Sequence, residues 1–119
     1  MQKISTSSTP GASGPYSQAI LANGFVFCSG QLGIDPETGK LVAGDAAAQA
    51  AQAMKNIAAV LEASDSGIGN IVKVAIFLVD MADFASVNEV YAHALGDARP
   101  ARSCVAVAEL PKGAKVEIE

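Results

Sequence analysis

Hydrophobic positions along this chain recur at two spacings, a period of two over short runs and a period near 3.6 over two longer ones, and these spacings predict its elements. Residues 17–22 and 25–29 are β-type runs joined by Asn23 and Gly24, the dipeptide that most favours a tight hairpin. "DPETGK" at 35–40 is turn chemistry. Asp45 then stands as N-cap of a helix that places Met54, Ile57, Ala58 and Leu61 on one face and is expected to stop near residues 64–67. Residues 71–79 read as a long strand. Asp80 and Asp83 resemble a capping box ahead of a second helix, whose Phe84, Val87, Tyr91 and Leu95 form one stripe. Residues 102–108 predict a strand, "LPKGAK" a loop and 116–119 a last short strand, with one more strand expected at residues 3–5. The order ββ-α-β-α-ββ is that of an α+β fold, a sheet with two helices on one face, in a single domain over residues 1–119.

The strand at 71–79 departs from simple alternation. Val72, Val74, Ile76 and Leu78 are apolar on one parity, and Ala75, Phe77 and Val79 are apolar on the other, with only Lys73 interrupting. Both faces therefore favour burial, yet two helices cover only one. The second face is expected to meet copies of the same chain, in a closed homo-oligomer with a sheet-lined interior.

Composition narrows the function classes. Half the residues are hydrophobic and 17% are charged, which excludes a disordered chain. Twelve acidic against eight basic residues give a net charge of −4, opposite to the basic footprint of nucleic-acid binders. No apolar run is long enough to span a membrane, and the first residues lack the apolar core of a secretory signal, so the cytoplasm is the expected location. Cys28 and Cys104 sit in apolar runs and read as free thiols; with His93 at wide spacing they make a poor metal-ligand set. His93 itself reads as solvated helix surface. The glycine-rich "GASG" and "SGQLG" lack phosphate-loop spacing.

The chemistry-bearing residues gather near the C-terminus. Alternation puts Arg102, Cys104, Ala106 and Ala108 on one face of their strand and Ser103, Val105 and Val107 on the other. Packing Val105, Val107, Val116 and Ile118 beneath the helices leaves Arg102, Cys104 and Glu117 on the face assigned to a neighbouring copy. An Arg and a Glu partly buried there need a partner. They form either an ion pair between subunits or a ligand site in which the guanidinium grips a carboxylate and the Glu moves protons to a water or an amine. A small 2-oxo, imino or amino acid suits that pair. Cys104 has no evident base within reach and reads as pocket lining in preference to a nucleophile. Tyr16, between a proline and the first hairpin strand, reads from position alone as a packing aromatic.

Taken together, "GPYSQAI" at 14–20, "SGQLG" at 29–33, "NIVKVAIFLVDMADFASVNEVY" at 70–91 and "PARSCVAVAELPKGAKVEIE" at 100–119 resemble the RidA family, also called YjgF or L-PSP. The resemblance implies a chorismate-mutase-like α+β fold, assembled as a homotrimer with a barrel-like core and sites between subunits. It implies hydrolysis of 2-aminoacrylate and 2-iminobutanoate to 2-oxo acids and ammonia, with no cofactor. Arg102 would bind the substrate carboxylate and Glu117 would position water and move protons; Cys104, Tyr16 and Ser29 would line the pocket. Metabolite binding without turnover is the alternative in the same family. The endoribonuclease activity attached to some members fits this acidic chain poorly. Arg99 stands where an aromatic residue often precedes the proline, which implies a different pocket entrance.

Overall fold

The computed structural model describes residues 1–119. Strands β1 (Gln2–Ile4), β2 (Ala19–Ala22) and β3 (Phe25–Cys28) form one antiparallel ladder. Its hairpin turns through Asn23 and Gly24 at φ 52° and 78°, the two left-handed positions that a two-residue loop between right-twisted strands requires. A second ladder has the order β4-β7-β5-β6, from β4 (Gln31–Leu32), β5 (Lys73–Leu78), β6 (Ala101–Ala106) and β7 (Val116–Ile118). Helix α1 (Ala46–Ala63) follows β4, and α2 (Phe84–Leu95) makes the crossover between the parallel strands β5 and β6.

The core lies between the helices and one face of the second ladder. Val74, Ile76 and Leu78 of β5 and Val116 and Ile118 of β7 pack against Met54, Ile57 and Leu61 of α1 and Val87, Tyr91 and Leu95 of α2. Val60 turns from α1 to Ile4 and Ala19 and so ties the first ladder to the same helix. The α+β class and the two helices on one face agree with the reading from sequence; the hydrogen bonding differs in dividing the strands into two ladders. The two-residue β4 is too short to leave a periodic trace. The strand expected at 71–79 is trimmed to six residues, with Val72 66% exposed. Asp45 caps α1 by accepting from the Ala48 N–H at 2.9 Å. Asp80 instead caps a short 3₁₀ turn through Ala82 N–H, and Asp83 returns no side-chain bond, so the expected capping box is half made.

Polar residues inside the fold position the segments that carry the site. Asn56, buried in α1, donates through Nδ2 to the carbonyls of Leu32 (3.2 Å) and Ile34 (2.9 Å), and its own carbonyl accepts from Thr9 Oγ1. Gln18 accepts from Thr6 N–H through Oε1 and donates to the carbonyls of Thr6, Thr9 and Pro10, which folds the N-terminal loop back on β2. Gly33 passes α1 so closely that a Cβ there would lie 2.5 Å from Gln49 Cα. Asn56→Ala leaves the buried Ile34 carbonyl and the half-buried Leu32 carbonyl without their donor and is expected to cost roughly 2–3 kcal/mol. Urea unfolding checks this: the midpoint should fall while the slope stays unchanged.

Candidate active site

The register of the second ladder decides which side chains share a face. In the parallel pair, Val74 lies beside Arg102 and Ile76 beside Cys104, while Phe77 lies beside Val105 on one side and Glu117 on the other. Arg102 and Cys104 therefore project to the helix-covered side with the core of β5, and Glu117 projects to the open side with Phe77 and Val105. This corrects the sequence-based placement of all three on one face. Hydrophobicity favoured burying Val105, yet Val105 is 46% exposed. Since β6 is an edge strand, α2 offers its helix side an aromatic and amide surface that accepts a guanidinium.

Arg102 is held by that surface. Its Nη1 donates to Asn88 Oδ1 at 2.6 Å, and its guanidinium carbon stands 5.5 Å from the Phe84 ring centre and 5.2 Å from that of Tyr91. Cys104, two residues along, is half-buried and packs on the core; burial raises its thiol pKa and the Arg102 charge pulls it back in part. A thiol kept protonated is a poor nucleophile. Cys28 is likewise free, and burial raises its pKa.

The other three candidates meet elsewhere. Tyr16, Ser29 and Glu117 line one cleft of about 530 Å³, together with Gly30 and Lys112. Ser29 is fixed by donating from Oγ to the Ser17 carbonyl at 2.6 Å. Tyr16 Oη accepts from the Ser13 N–H at 3.2 Å and lies 3.3 Å from Ser13 Oγ; these bonds, helped by the Lys112 charge, lower the phenol pKa. Glu117 is half-buried, and desolvation, with Glu119 adding like charge, raises its carboxyl pKa. Gly30 makes room for it: a Cβ at that position would collide with the Glu117 carboxylate. The glycines of "SGQLG" thus serve close approach, Gly30 to Glu117 and Gly33 to α1.

Several contributors escaped the sequence reading. Asn88 is one, although it interrupts the α2 stripe at a helical spacing from Phe84 and Tyr91, a polar residue on an otherwise aromatic edge. Lys112 reaches the cleft from a left-handed backbone, φ 59°, that composition does not reveal. Arg99 folds onto its own loop, donating from Nη1 to the carbonyls of Gly96 and Ala98. His93 is exposed, as expected. No helix is long and apolar enough to cross a membrane.

Chemically, one chain offers two half-sites: a cation oriented by a neutral amide and two rings, and a cleft with a carboxyl that retains its proton to higher pH beside a phenol that loses its proton more readily. The chain as a whole is similar to known proteins. The chain is 47% identical over 116 residues to the human 2-iminobutanoate/2-iminopropanoate deaminase, covering 98% of this chain and 85% of that protein. Its fold superposes on RidA from the Antarctic bacterium Psychrobacter sp. with a TM-score of 0.95 at 47% identity, covering 99% and 95% of the two chains. Escherichia coli TdcF, solved with bound serine, matches with a TM-score of 0.93 at 40% identity, covering 99% and 94%. The family model described as endoribonuclease L-PSP matches residues 6–119. On this match and these identities, the chain belongs to the endoribonuclease L-PSP family, the RidA/YjgF proteins.

Proposed function

We propose that this protein hydrolyses small 2-imino acids and their enamine tautomers, 2-iminobutanoate and 2-aminoacrylate, to 2-oxo acids and ammonia, at sites formed between copies of the chain in a homotrimer. The observation that carries the reading is the opposition of Arg102 and Glu117 across one sheet. Residues on opposite faces cannot close on one small substrate within a chain, whereas the Glu117 cleft of one copy can meet the Arg102 edge of the next. The open face, with Phe77 and Val105, supplies apolar surface for that contact. The deaminase name of the human relative and the serine bound in TdcF support the substrate class, a small molecule with a carboxylate and a nitrogen on the adjacent carbon.

In this reading Arg102 receives the carboxylate through its free N–H groups. Glu117, protonated more readily than an exposed carboxyl, gives its proton to the imine nitrogen and then takes one from the attacking water. Water oxygen bonds to C2 as the C=N π bond opens, and the resulting carbinolamine holds both oxygen and nitrogen on C2. Glu117 returns that proton to nitrogen, the C2–N bond breaks to release ammonia, and the hydroxyl proton passes to the Glu117 carboxylate as the C2=O bond forms, leaving the 2-oxo acid. An enamine takes its proton at C3 instead of at nitrogen and so gives the same iminium for water to attack. Tyr16 and Ser29 form the wall beside Glu117, and Cys104 lines the floor near Arg102.

The test couples the protein to a threonine dehydratase with semicarbazide present. Added protein should lower the semicarbazone of the imine and speed release of 2-oxobutanoate. Unchanged trapping, with calorimetric binding of 2-oxobutanoate retained, would replace catalysis by metabolite binding.

A further inference from the structure

We infer that Asn88 is a positioning residue that keeps the charge of Arg102 available to an anionic ligand, orienting the guanidinium without neutralising it. The inference rests on Arg102 as the carboxylate anchor proposed above. Phe84, Asn88 and Tyr91 lie four and then three residues apart on α2, so they present one edge of the helix to β6. A partly buried guanidinium ordinarily needs a carboxylate to offset its lost hydration. Here the offset comes from uncharged groups: the Asn88 amide oxygen at 2.6 Å and the two ring faces at 5.5 and 5.2 Å. The full positive charge is thereby left for a ligand. Only Nη1 is engaged, so the Nε–Nη2 edge keeps two parallel N–H groups, the fork that matches a carboxylate.

Charge at position 88 separates this role from a packing role. Aspartate has nearly the shape of asparagine and would bond the guanidinium more strongly, so a structural function would be preserved or improved. The positioning function would be lost, because the internal carboxylate would compete with the ligand for the same cation. Asn88→Asp should weaken 2-oxobutanoate binding by about tenfold or more in calorimetry, with a melting temperature equal to or above that of the wild type. Asn88→Ala should keep the charge but loosen its aim, raising KM for the imine while leaving kcat close to the wild-type value.

Wild-type affinity in Asn88→Asp would overturn the inference. So would a loss of affinity in both variants that follows a matching loss of thermal stability. Arg102→Ala binding 2-oxobutanoate as well as the wild type would bring down the anchor reading and this inference together. Binding intact but imine hydrolysis absent would remove the deaminase reading alone and leave the role of Asn88 standing.

Discussion

Arg102→Ala is expected to lower kcat/KM for 2-iminobutanoate by roughly 30- to 1000-fold, the loss of one charge-assisted anchor worth about 2–4 kcal/mol. The dehydratase-coupled assay with a semicarbazide trap reads it directly. The size follows from the surroundings of the guanidinium: it is half-buried, bonded to a neutral amide and flanked by two rings, so its charge is not already consumed inside the chain. Arg102→Lys should recover only part of the loss. A lysine keeps the charge but lacks the planar fork, and its single nitrogen cannot bond Asn88 and grip both carboxylate oxygens in the same plane. Removing the guanidinium also costs the fold two cation–π contacts of about 0.5–1 kcal/mol each, so unfolding must be measured beside activity. Full turnover by a folded Arg102→Ala would exclude the anchor role.

Glu117→Gln should have the second-largest effect, a fall in kcat of about 100- to 10,000-fold as expected for removal of a general acid–base. Glutamine keeps the shape and the place beside Gly30 but has no proton to exchange at neutral pH. The same change should stabilise the folded protein at neutral pH. Burial raises the Glu117 pKa, so the folded state holds this proton more tightly than the unfolded chain does. That favourable contribution is complete below the unfolded carboxyl pKa and is lost as pH rises through the higher folded value. Above it the wild type carries an ionised, partly desolvated carboxylate that the variant lacks. Chemical denaturation at acidic and neutral pH checks the sign: the variant should gain stability over the wild type as pH rises. A variant that loses activity and stability together would point to structural damage in place of lost proton transfer.

How much of this was legible in advance follows the range of each interaction. The Asn23-Gly24 turn, the Asp45 cap and the faces of both helices depend on neighbours within about four positions, and they match the structure except that Ala58 is half-buried and Phe84 37% exposed at the stripe margins. The helix-covered face of β5, Val74, Ile76 and Leu78, was legible as well, since these residues alternate along the strand and all three are buried. Family membership rested on motif stretches spread along the chain, and the comparisons agree with it. The residues proposed for the site came from the same motif stretches, which do not say which sheet face each one occupies.

Alternation dictated that Arg102 and Cys104 share a face and that Glu117 opposes Val116 and Ile118. It could not say which face of β6 matches which face of β7, because β5 lies between them and the relation passes through two register choices. A one-residue slip in either reverses the answer. The amino-acid order by itself therefore determined most of the elements, the buried stripes of the helices and the sharing of one strand face by Arg102 and Cys104. Only the tertiary structure decided that the cation faces α2, held by Asn88, Phe84 and Tyr91, while the carboxyl faces the open side with Tyr16 and Ser29. The physical reason is that pairing between strands far apart in sequence is chosen by the packing of the whole core, whereas helix faces and turns are chosen locally.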